Sequence, residues 1–389
     1  MQQLITRGAL AAAMLGLAQP ALADTAETKG GITIKTDDGR FEGKLGGRIH
    51  YDLNMVDGDD AGPSGSDLSD VFFRRARLTF SGKAYGWEYK FEQDFAGGAP
   101  TERDLYIATK LGPGKLILGQ FKPFRGMEEM TSSNEITFME RPYVQANFPS
   151  EQFSMGAGYK GSAGDFTYAL GLQNRKVDAA GNNSSESMVG SARFTFAPIN
   201  ADGAVVHVGF SGSMDNLNRS GAGVQTTDDV TVQYAGRNVG SLQLASDFIE
   251  GTFLGAEAAV AVGPFYVQSE YMLGDLDFEA PATSQDVAAY YIQASFHVTG
   301  ESKPYKGGVF KSVKPKNASG AVELKVRLEG AENKDVADNE VSAITLGANW
   351  YVNPNVRFML EYITAEAKAG TSVGADEPKV IAARAQLNF

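Results

Sequence analysis

Long stretches of this chain alternate between apolar and polar residues. In RIHYDLNM (48–55), WEYKFEQDF (87–95) and SARFTFAP (191–198), nearly every second residue is apolar. A period of two residues is that of a β-strand, because successive side chains point to opposite faces of a sheet. The pattern therefore predicts an all-β chain whose strands have one aromatic-rich apolar face and one charged face.

The connections between these strands alternate between short and long. Residues 83–86, 111–115 and 161–164 are short, whereas 56–70, 122–150 and 214–250 are long. This arrangement is typical of a transmembrane antiparallel β-barrel with short periplasmic turns and long extracellular loops. Closure of the sheet into a barrel also removes unpaired strand edges, whose backbone polar groups would have no hydrogen-bond partner in lipid. We predict 16 strands, or 18 if VTVQYAG (230–236) and SLQLASDF (241–248) add a hairpin.

The first 23 residues have the features of a secretory signal peptide. Arg7 is followed by an apolar run over 9–18 and by the small-residue sequence Ala21-Leu22-Ala23. The run is too short for a membrane anchor, so we predict cleavage after Ala23 and a single barrel domain over 24–389. Together with the predicted barrel, the signal indicates the outer membrane of a bacterial cell, where lipid and lipopolysaccharide surround the protein.

Composition excludes several other functions. The chain has 35 basic and 47 acidic residues, so removal of Arg7 with the signal leaves a net charge of −13, which argues against nucleic-acid binding. There are no cysteines, and His50, His207 and His297 show no metal-ligand spacing. We expect no metal, no cofactor and no enzymatic activity. A barrel enzyme, the rival class, would need one of these histidines beside a serine and an acid.

The segment DVFFRRARLTFSG (70–82) places arginines inside an apolar strand. If Phe72, Ala76, Leu78 and Phe80 face lipid, Arg75 and Arg77 face the lumen, as Arg48 does from the preceding strand. Arg74 is out of phase, which indicates either a β-bulge or a position near a rim or a subunit contact. Arginines around a narrow aqueous channel favour anions over cations. The alternative is that they pair with Glu88, Glu92 and Asp94 and only stiffen the wall.

Four stretches carry a resemblance to a known family. They are FFRRARLTFSGKAYGWEYKFEQDF (72–95), LGQFKPFRGMEEMTSSNEITFMERP (118–142), GPFYVQSEY (263–271), and TGESKPYKGGVFKSVKPK (299–316) followed by GAVELKVRLEG (320–330). In this order they resemble the phosphate-selective porins O and P. The resemblance implies a homotrimer of 16-stranded barrels, a long third loop folded into each pore, and small anions such as phosphate as solutes. It also implies pore roles for Arg48, Arg74 and Arg75 of an arginine ladder, for Thr131, Ser132 and Ser133, and for Arg141.

The chain departs from the family pattern at the constriction. Glu129 stands where phosphate-selective members have a lysine, and the middle strands supply only Arg193. Lys122 and Arg125, at the start of the third loop, could compensate in part. The sequence therefore predicts a passive, anion-preferring porin with phosphate or related oxyanions as leading solutes. A general or weakly cation-selective porin is the alternative, and a structural barrel is a remote one.

A second basic segment lies at the predicted periplasmic end. Residues 300–320 hold five lysines and one acid, Glu301. The lysines are Lys303, Lys306, Lys311, Lys314 and Lys316. They predict either a positive periplasmic mouth that draws anions out of the channel or a solvated turn.

Overall fold

Sixteen long strands pair with their neighbours in the sequence, and the last pairs with the first. In the computed structural model, which describes residues 25–27, 31–57, 68–146, 153–174, 188–216, 242–245, 250–278, 281–372 and 374–389, all these pairings are antiparallel. The barrel strands are β3 (Phe41–Asp57), β4 (Leu68–Ala84), β5 (Trp87–Asp94), β6 (Thr101–Leu111), β7 (Gly114–Phe121), β8 (Ser154–Ala163), β9 (Phe166–Asn174), β10 (Met188–Ala201), β11 (Ala204–Asn216), β12 (Glu250–Val262), β13 (Phe265–Asp277), β14 (Gln285–His297), β17 (Ala321–Asn333), β18 (Glu340–Asn353), β19 (Val356–Ala367) and β20 (Lys379–Asn388). The predicted closed barrel of 16 strands is confirmed.

Four further strands within the described ranges are short. β1 (Thr25–Glu27) pairs with β2 (Ile32–Lys35), which in turn extends the sheet beside the first residues of β3. β15 (Tyr305–Lys306) and β16 (Val309–Phe310) form a small hairpin apart from the wall. β11 pairs directly with β12, so the barrel wall has no room there for the extra hairpin of the 18-strand alternative. The predicted signal peptide and most of that hairpin lie outside the described residues.

Short turns join the strands at one end of the barrel. At the β4–β5 turn, Tyr85 and Gly86 both have positive φ values, 52° and 85°. Two consecutive residues with positive φ form a type I′ turn, whose twist matches that of the flanking strands. Among the described residues the two helices, α1 (Met127–Met130) and α2 (Tyr143–Ala146), have four residues each, and no helix has the length and apolar character of a membrane span.

Apolar side chains cover the outside of the barrel, and polar ones face inward. On β17, for example, Leu324, Val326 and Leu328 are exposed, whereas Lys325 and Arg327 between them are buried. The alternation that the sequence shows is therefore the alternation between the lipid side and the lumen side.

Two segments fill much of the lumen. The inner segment, residues 122–146, follows β7 and includes both helices. The second segment, residues 298–320, follows β14 and includes β15 and β16, and we call it the periplasmic segment after the end of the barrel that the sequence predicts for it. They meet where Met127 of the inner segment packs in one apolar cluster with Val309 and Phe310. The connection after β7 is described only as far as Ala146 and again from Phe153, so its remaining residues lie outside the description.

Candidate functional site

A β-bulge on β4 explains the run of arginines. Arg75 lies opposite His50 of β3 and Phe73 lies opposite Tyr51, so Arg74 is an extra residue without a cross-strand partner. The bulge turns both Arg74 and Arg75 toward the lumen. Of the two explanations predicted for Arg74, a bulge or a rim position, the structure therefore shows the bulge. The bulge also exchanges the lipid-facing and lumen-facing positions of the β4 residues that precede it. The prediction that Phe72 faces lipid is therefore wrong.

The residues after the bulge face as predicted. Leu78 and Phe80 are exposed on the outside. Before the bulge it is Phe73 that is exposed, while Phe72 packs against the buried interior cluster that includes Val56. One extra residue thus moves a whole half-strand to the opposite phase, because the side-chain period is two.

A second bulge lies between β5 and β6. Phe91 is opposite Leu105 and Gln93 is opposite Glu102, so Arg103 and Asp104 together face Glu92. Arg103 approaches Asp94 to 3.6 Å, and Lys90 pairs with Asp104. The two bulges therefore each bring an additional charged side chain into the same side of the lumen. Lys90 and Arg103 were missed by the sequence reasoning, and the charged doublet Arg103-Asp104 was the available signal.

Arg48 and Arg77 share the carboxylate of Glu92. Arg48 Nη2 lies 2.9 Å from Glu92 Oε2, Arg77 Nη1 lies 3.1 Å from Glu92 Oε1, and Arg77 Nε donates to Asp94 Oδ2 at 2.7 Å. Thr79 also donates to Glu92. The arginines thus pair with lumen acids, as the alternative interpretation expects, but they remain partly exposed.

Lys122, at the start of the inner segment, adds a further cation to this side of the lumen. Its Nζ lies 2.7 Å from Glu129 Oε1 and 5.5 Å from the centroid of the Phe153 ring. Burial is the largest influence and lowers the pKa of Lys122 to about 8, with Arg141 acting in the same direction and Glu129 opposing both. Burial would raise the pKa of Glu129, but Lys122 and Arg141 outweigh it and hold that pKa below the usual range.

Several predicted anion ligands are engaged within the protein. Thr131 donates its hydroxyl to Met127 O at 2.8 Å, and Ser133 accepts from Arg48 Nη1 at 2.8 Å. Ser132 accepts a hydrogen bond from the backbone N–H of Asn134. Arg141 donates to the backbone carbonyls of Glu128 and Thr131. These groups shape the inner segment, and Ser132 is the member of the triplet that is not fully buried.

Two other predicted arginines lie away from the bulges. Arg125 is buried and donates from Nη2 to both carboxylate oxygens of Asp215 on β11, at 2.7 and 2.9 Å. Arg193 is buried against Glu257 and donates to Gly308 O of the periplasmic segment at 2.6 Å. Both therefore tie interior segments to the wall.

The periplasmic lysines divide into two groups. Lys303 is buried: its Nζ lies 2.7 Å from Thr137 Oγ1 and 3.2 Å from Glu323 Oε1. Lys311 pairs with Glu135 of the inner segment at 2.8 Å. The prediction that all five line an open mouth is therefore wrong for Lys303. Lys306, Lys314 and Lys316 are exposed, as a mouth or a solvated turn requires.

Four cations on the C-terminal strands hold the inner segment by its backbone. Arg357 donates to Ile136 O at 2.9 Å and Lys325 to Thr137 O at 3.0 Å. Arg384 donates to Met139 O at 2.5 Å and Arg327 to Glu140 O at 2.9 Å.

Two carboxylates complete this contact from the same wall. Glu361 accepts from the backbone N–H of Met139 at 2.7 Å, and Glu329 accepts from that of Tyr143 at 2.8 Å. The sequence reasoning missed this wall. Its signal was the inward phase of the charges in ELKVRLEG (323–330) and IAARAQLNF (381–389).

Seven partly exposed cations lie on the opposite side, on β3–β6 and at Lys122 and Arg141 of the inner segment. The side-chain exposures of Arg74, Lys90, Arg103 and Lys122 are 19–26%, and those of Arg48, Arg77 and Arg141 are 10–11%. Of the acids paired with them, Glu92, Asp94, Glu129 and Glu140 are only 2–7% exposed, and Asp104 is 20% exposed. We call this set of seven cations the basic face. It presents ammonium and guanidinium groups in front of mostly buried carboxylates.

Comparison with known proteins assigns the chain to a family. The profile of the family described as "Phosphate-selective porin O and P" matches residues 44–389. Porin O of Pseudomonas aeruginosa is 30% identical over 393 aligned residues, which cover 90% of this chain and 89% of that protein.

Solved structures share the fold at low sequence identity. The anion-selective porin from Comamonas acidovorans is 11% identical, with a TM-score of 0.59, and covers 89% of this chain and 99% of its own. OmpT of Vibrio cholerae, an outer membrane protein solved in a trimer form, is 14% identical, with a TM-score of 0.58 and coverages of 89% and 99%. On the strength of the family match, the chain belongs to the phosphate-selective porin O and P family and is an outer-membrane β-barrel porin.

Proposed function

We propose that this porin is a passive, anion-preferring diffusion channel with phosphate and related oxyanions as leading solutes. The observation that carries the proposal is the basic face. An ion that passes along β3–β7 meets cationic groups first, because most of the paired carboxylates lie behind them. Charges in a narrow, partly desolvated passage act on an ion more strongly than charges on an open surface.

The structure also supports a limit on phosphate selectivity. Glu129 neutralises Lys122 at 2.7 Å and lies 3.8 Å from Arg141. Most hydroxyls of the Thr131–Ser133 triplet serve internal hydrogen bonds. We therefore expect anion preference with weak phosphate block, in contrast to a site where an unpaired lysine stands at the constriction.

The family and its fold favour a channel over an enzyme, and we include the absence of catalysis in the proposal. We also propose a homotrimer in contact with outer-membrane lipid and lipopolysaccharide, in line with the trimeric form of the OmpT neighbour. Subunit number is measurable by analytical ultracentrifugation of the detergent-solubilised protein.

The decisive experiment is the reversal potential of the purified porin in a planar bilayer under a KCl gradient. The proposal expects a permeability ratio PCl/PK above 1, and phosphate added to chloride should reduce the current only weakly. A ratio below 1 would overturn the proposal in favour of a weakly cation-selective porin.

A further inference from the structure

One acidic side chain contacts three arginines at the edge of the passage, by which we mean the part of the lumen next to the basic face. Glu140, on the inner segment, accepts hydrogen bonds from Arg74 Nε and Nη2 at 2.9 Å each and from Arg384 Nη2 at 2.6 Å. Arg75 Nη2 lies 3.5 Å from the same carboxylate. Burial alone would raise the pKa of Glu140, but the three guanidinium groups hold it well below the usual range. Glu140 therefore stays ionised at any pH near neutral.

The far side of this cluster is fixed to the barrel wall. Arg384 is fully buried, and its Nε and Nη2 donate to the two carboxylate oxygens of Asp52 at 2.7 Å each. Its Nη1 donates to Met139 O. A guanidinium with all three nitrogens engaged in this way has a single available orientation. Asp52 and Arg384 thus anchor the carboxylate of Glu140.

The near side of the cluster reaches the passage. Arg74 presents its Nε and Nη2 edge to Glu140, and its Nη1 group has no hydrogen-bond partner among the described residues. The side chain is 20% exposed. Because Arg74 is the bulged residue, no cross-strand neighbour fixes its direction. Within the described part of the chain, the bidentate contact with Glu140 is what fixes it.

We propose that Asp52, Arg384 and Glu140 form a positioning relay that holds Arg74 in the passage, and that Glu140 thereby promotes anion permeation although it is an acid. The inference rests on the proposed function. Without Glu140, the Arg74 side chain would lose the two hydrogen bonds that fix its orientation and would be free to adopt other rotamers. Arg75, by contrast, is nearly fully buried and belongs to the relay's surroundings, not to the surface that ions meet.

The sign of one substitution separates this role from simple electrostatics. Removal of an acid beside the passage should raise PCl/PK if only its charge matters. The relay instead expects Glu140→Gln to lower PCl/PK by about threefold, the effect of one partly screened charge contact. Asp104→Asn is the matched control, because Asp104 is a partly exposed acid of the passage paired with Lys90, and its loss should raise the ratio.

The measurement is the reversal potential in a KCl gradient for wild type, Glu140→Gln, Arg74→Gln and the double variant. The relay expects the double variant to match Arg74→Gln, because Glu140 acts only through Arg74. A rise of PCl/PK in Glu140→Gln, parallel to that in Asp104→Asn, would overturn it. So would an independent, additive decrease in the double variant.

Glu140→Gln leaves Arg384 and Arg75 less well paired, and the variant could fail to fold for that reason. A second variant tests the relay in that case. Arg74→Lys retains the charge at a partly exposed position, but its three donors share one freely rotating nitrogen, so it cannot reproduce the planar two-point contact that leaves a separate nitrogen, Nη1, for the passage. The relay expects PCl/PK to fall in Arg74→Lys, and an unchanged ratio would overturn it. If wild type itself is cation-selective, the proposed function fails, and this result is distinct from a failure of the relay in an anion-selective wild type.

Discussion

Lys122 is the residue of the basic face whose charge is most sensitive to pH. Its ammonium lies close to Glu129 and Phe153, and burial brings its pKa to about 8. The amine is thus charged below pH 8 and neutral above it. We expect PCl/PK to fall between pH 7 and pH 9.5 with a midpoint near 8. Reversal potentials across this range test the expectation, and Lys122→Met should lack the step.

Glu129 sets the position of that step. Its carboxylate favours the charged form of Lys122, so Glu129→Gln should move the midpoint of PCl/PK to lower pH. Glu128→Gln is the matched control, because the Glu128 side chain contacts Gln268 of β13 instead of Lys122. Equal shifts in both variants would contradict the assignment of the step to the Lys122–Glu129 pair.

Among the elements, β4 shows how one residue controls what a strand presents to the lumen. Deletion of one arginine of the Arg74–Arg75 pair would restore regular pairing, since His50 and Tyr51 already face Arg75 and Phe73. We expect a folded barrel whose melting temperature changes by less than about 5 °C, the effect of about 1–2 kcal/mol. PCl/PK should nevertheless fall, because the deletion removes a cation of the basic face.

Heat-dependent mobility on a gel and the reversal potential check this expectation together. Deletion of Leu78 is the control: it lies in regular pairing with Gly47 and would turn half of β4 to the wrong face. If the arginine deletion unfolds the barrel as the Leu78 deletion does, the bulge is required for folding and not only for function.

Strand period and loop length predicted most of the wall from the sequence. The lumen phase of Arg48, Arg75 and Arg77 follows from alternation, whereas the count of 16 rather than 18 strands and the inward turn of Arg74 at a bulge were each one of two alternatives that the sequence left open. The interior was less predictable, because alternation says which side chains face inward but not what they meet there. Four cations of the C-terminal strands have the lumen phase, yet they donate hydrogen bonds to backbone carbonyls of the inner segment and not to solutes. They are Lys325, Arg327, Arg357 and Arg384.

The periplasmic segment was misjudged for a related reason. Lysines dominate its composition and predict a solvent-exposed segment, but Val309, Phe310 and Val313 are buried. Val309 and Phe310 pack with Met127 and Tyr266 inside the barrel, and Ser312 donates to Asn134 O at 3.1 Å. A short apolar sequence within a basic turn was the signal that the segment folds inward.

At the scale of the whole molecule, the lumen is divided into a filled half and an accessible half. The inner and periplasmic segments pack against the wall from β9 through β14 to β20, where lumen-facing side chains such as Arg327 and Glu361 are at most 1% exposed. Along β4–β6, by contrast, Arg74, Lys90, Arg103 and Asp104 are 20–26% exposed. Ions should therefore pass on one side of the barrel, next to the basic face.

Cysteine accessibility tests this asymmetry, and the native chain has no cysteine to react in the background. Lys90→Cys and Asp104→Cys place thiols at partly exposed positions of the passage, whereas Gln293→Cys and Thr345→Cys place them at lumen-facing positions of β14 and β18 that are at most 1% exposed. We expect a negatively charged methanethiosulfonate reagent to reduce the current through the first two variants and to leave the last two unchanged. Labelling read by mass shift on the folded protein, with unfolded protein as the positive control, separates lack of access from lack of effect. Reaction at Gln293→Cys as fast as at Lys90→Cys would mean that the two interior segments leave the filled half open to solutes, and the basic face would then be only one of two routes through the barrel.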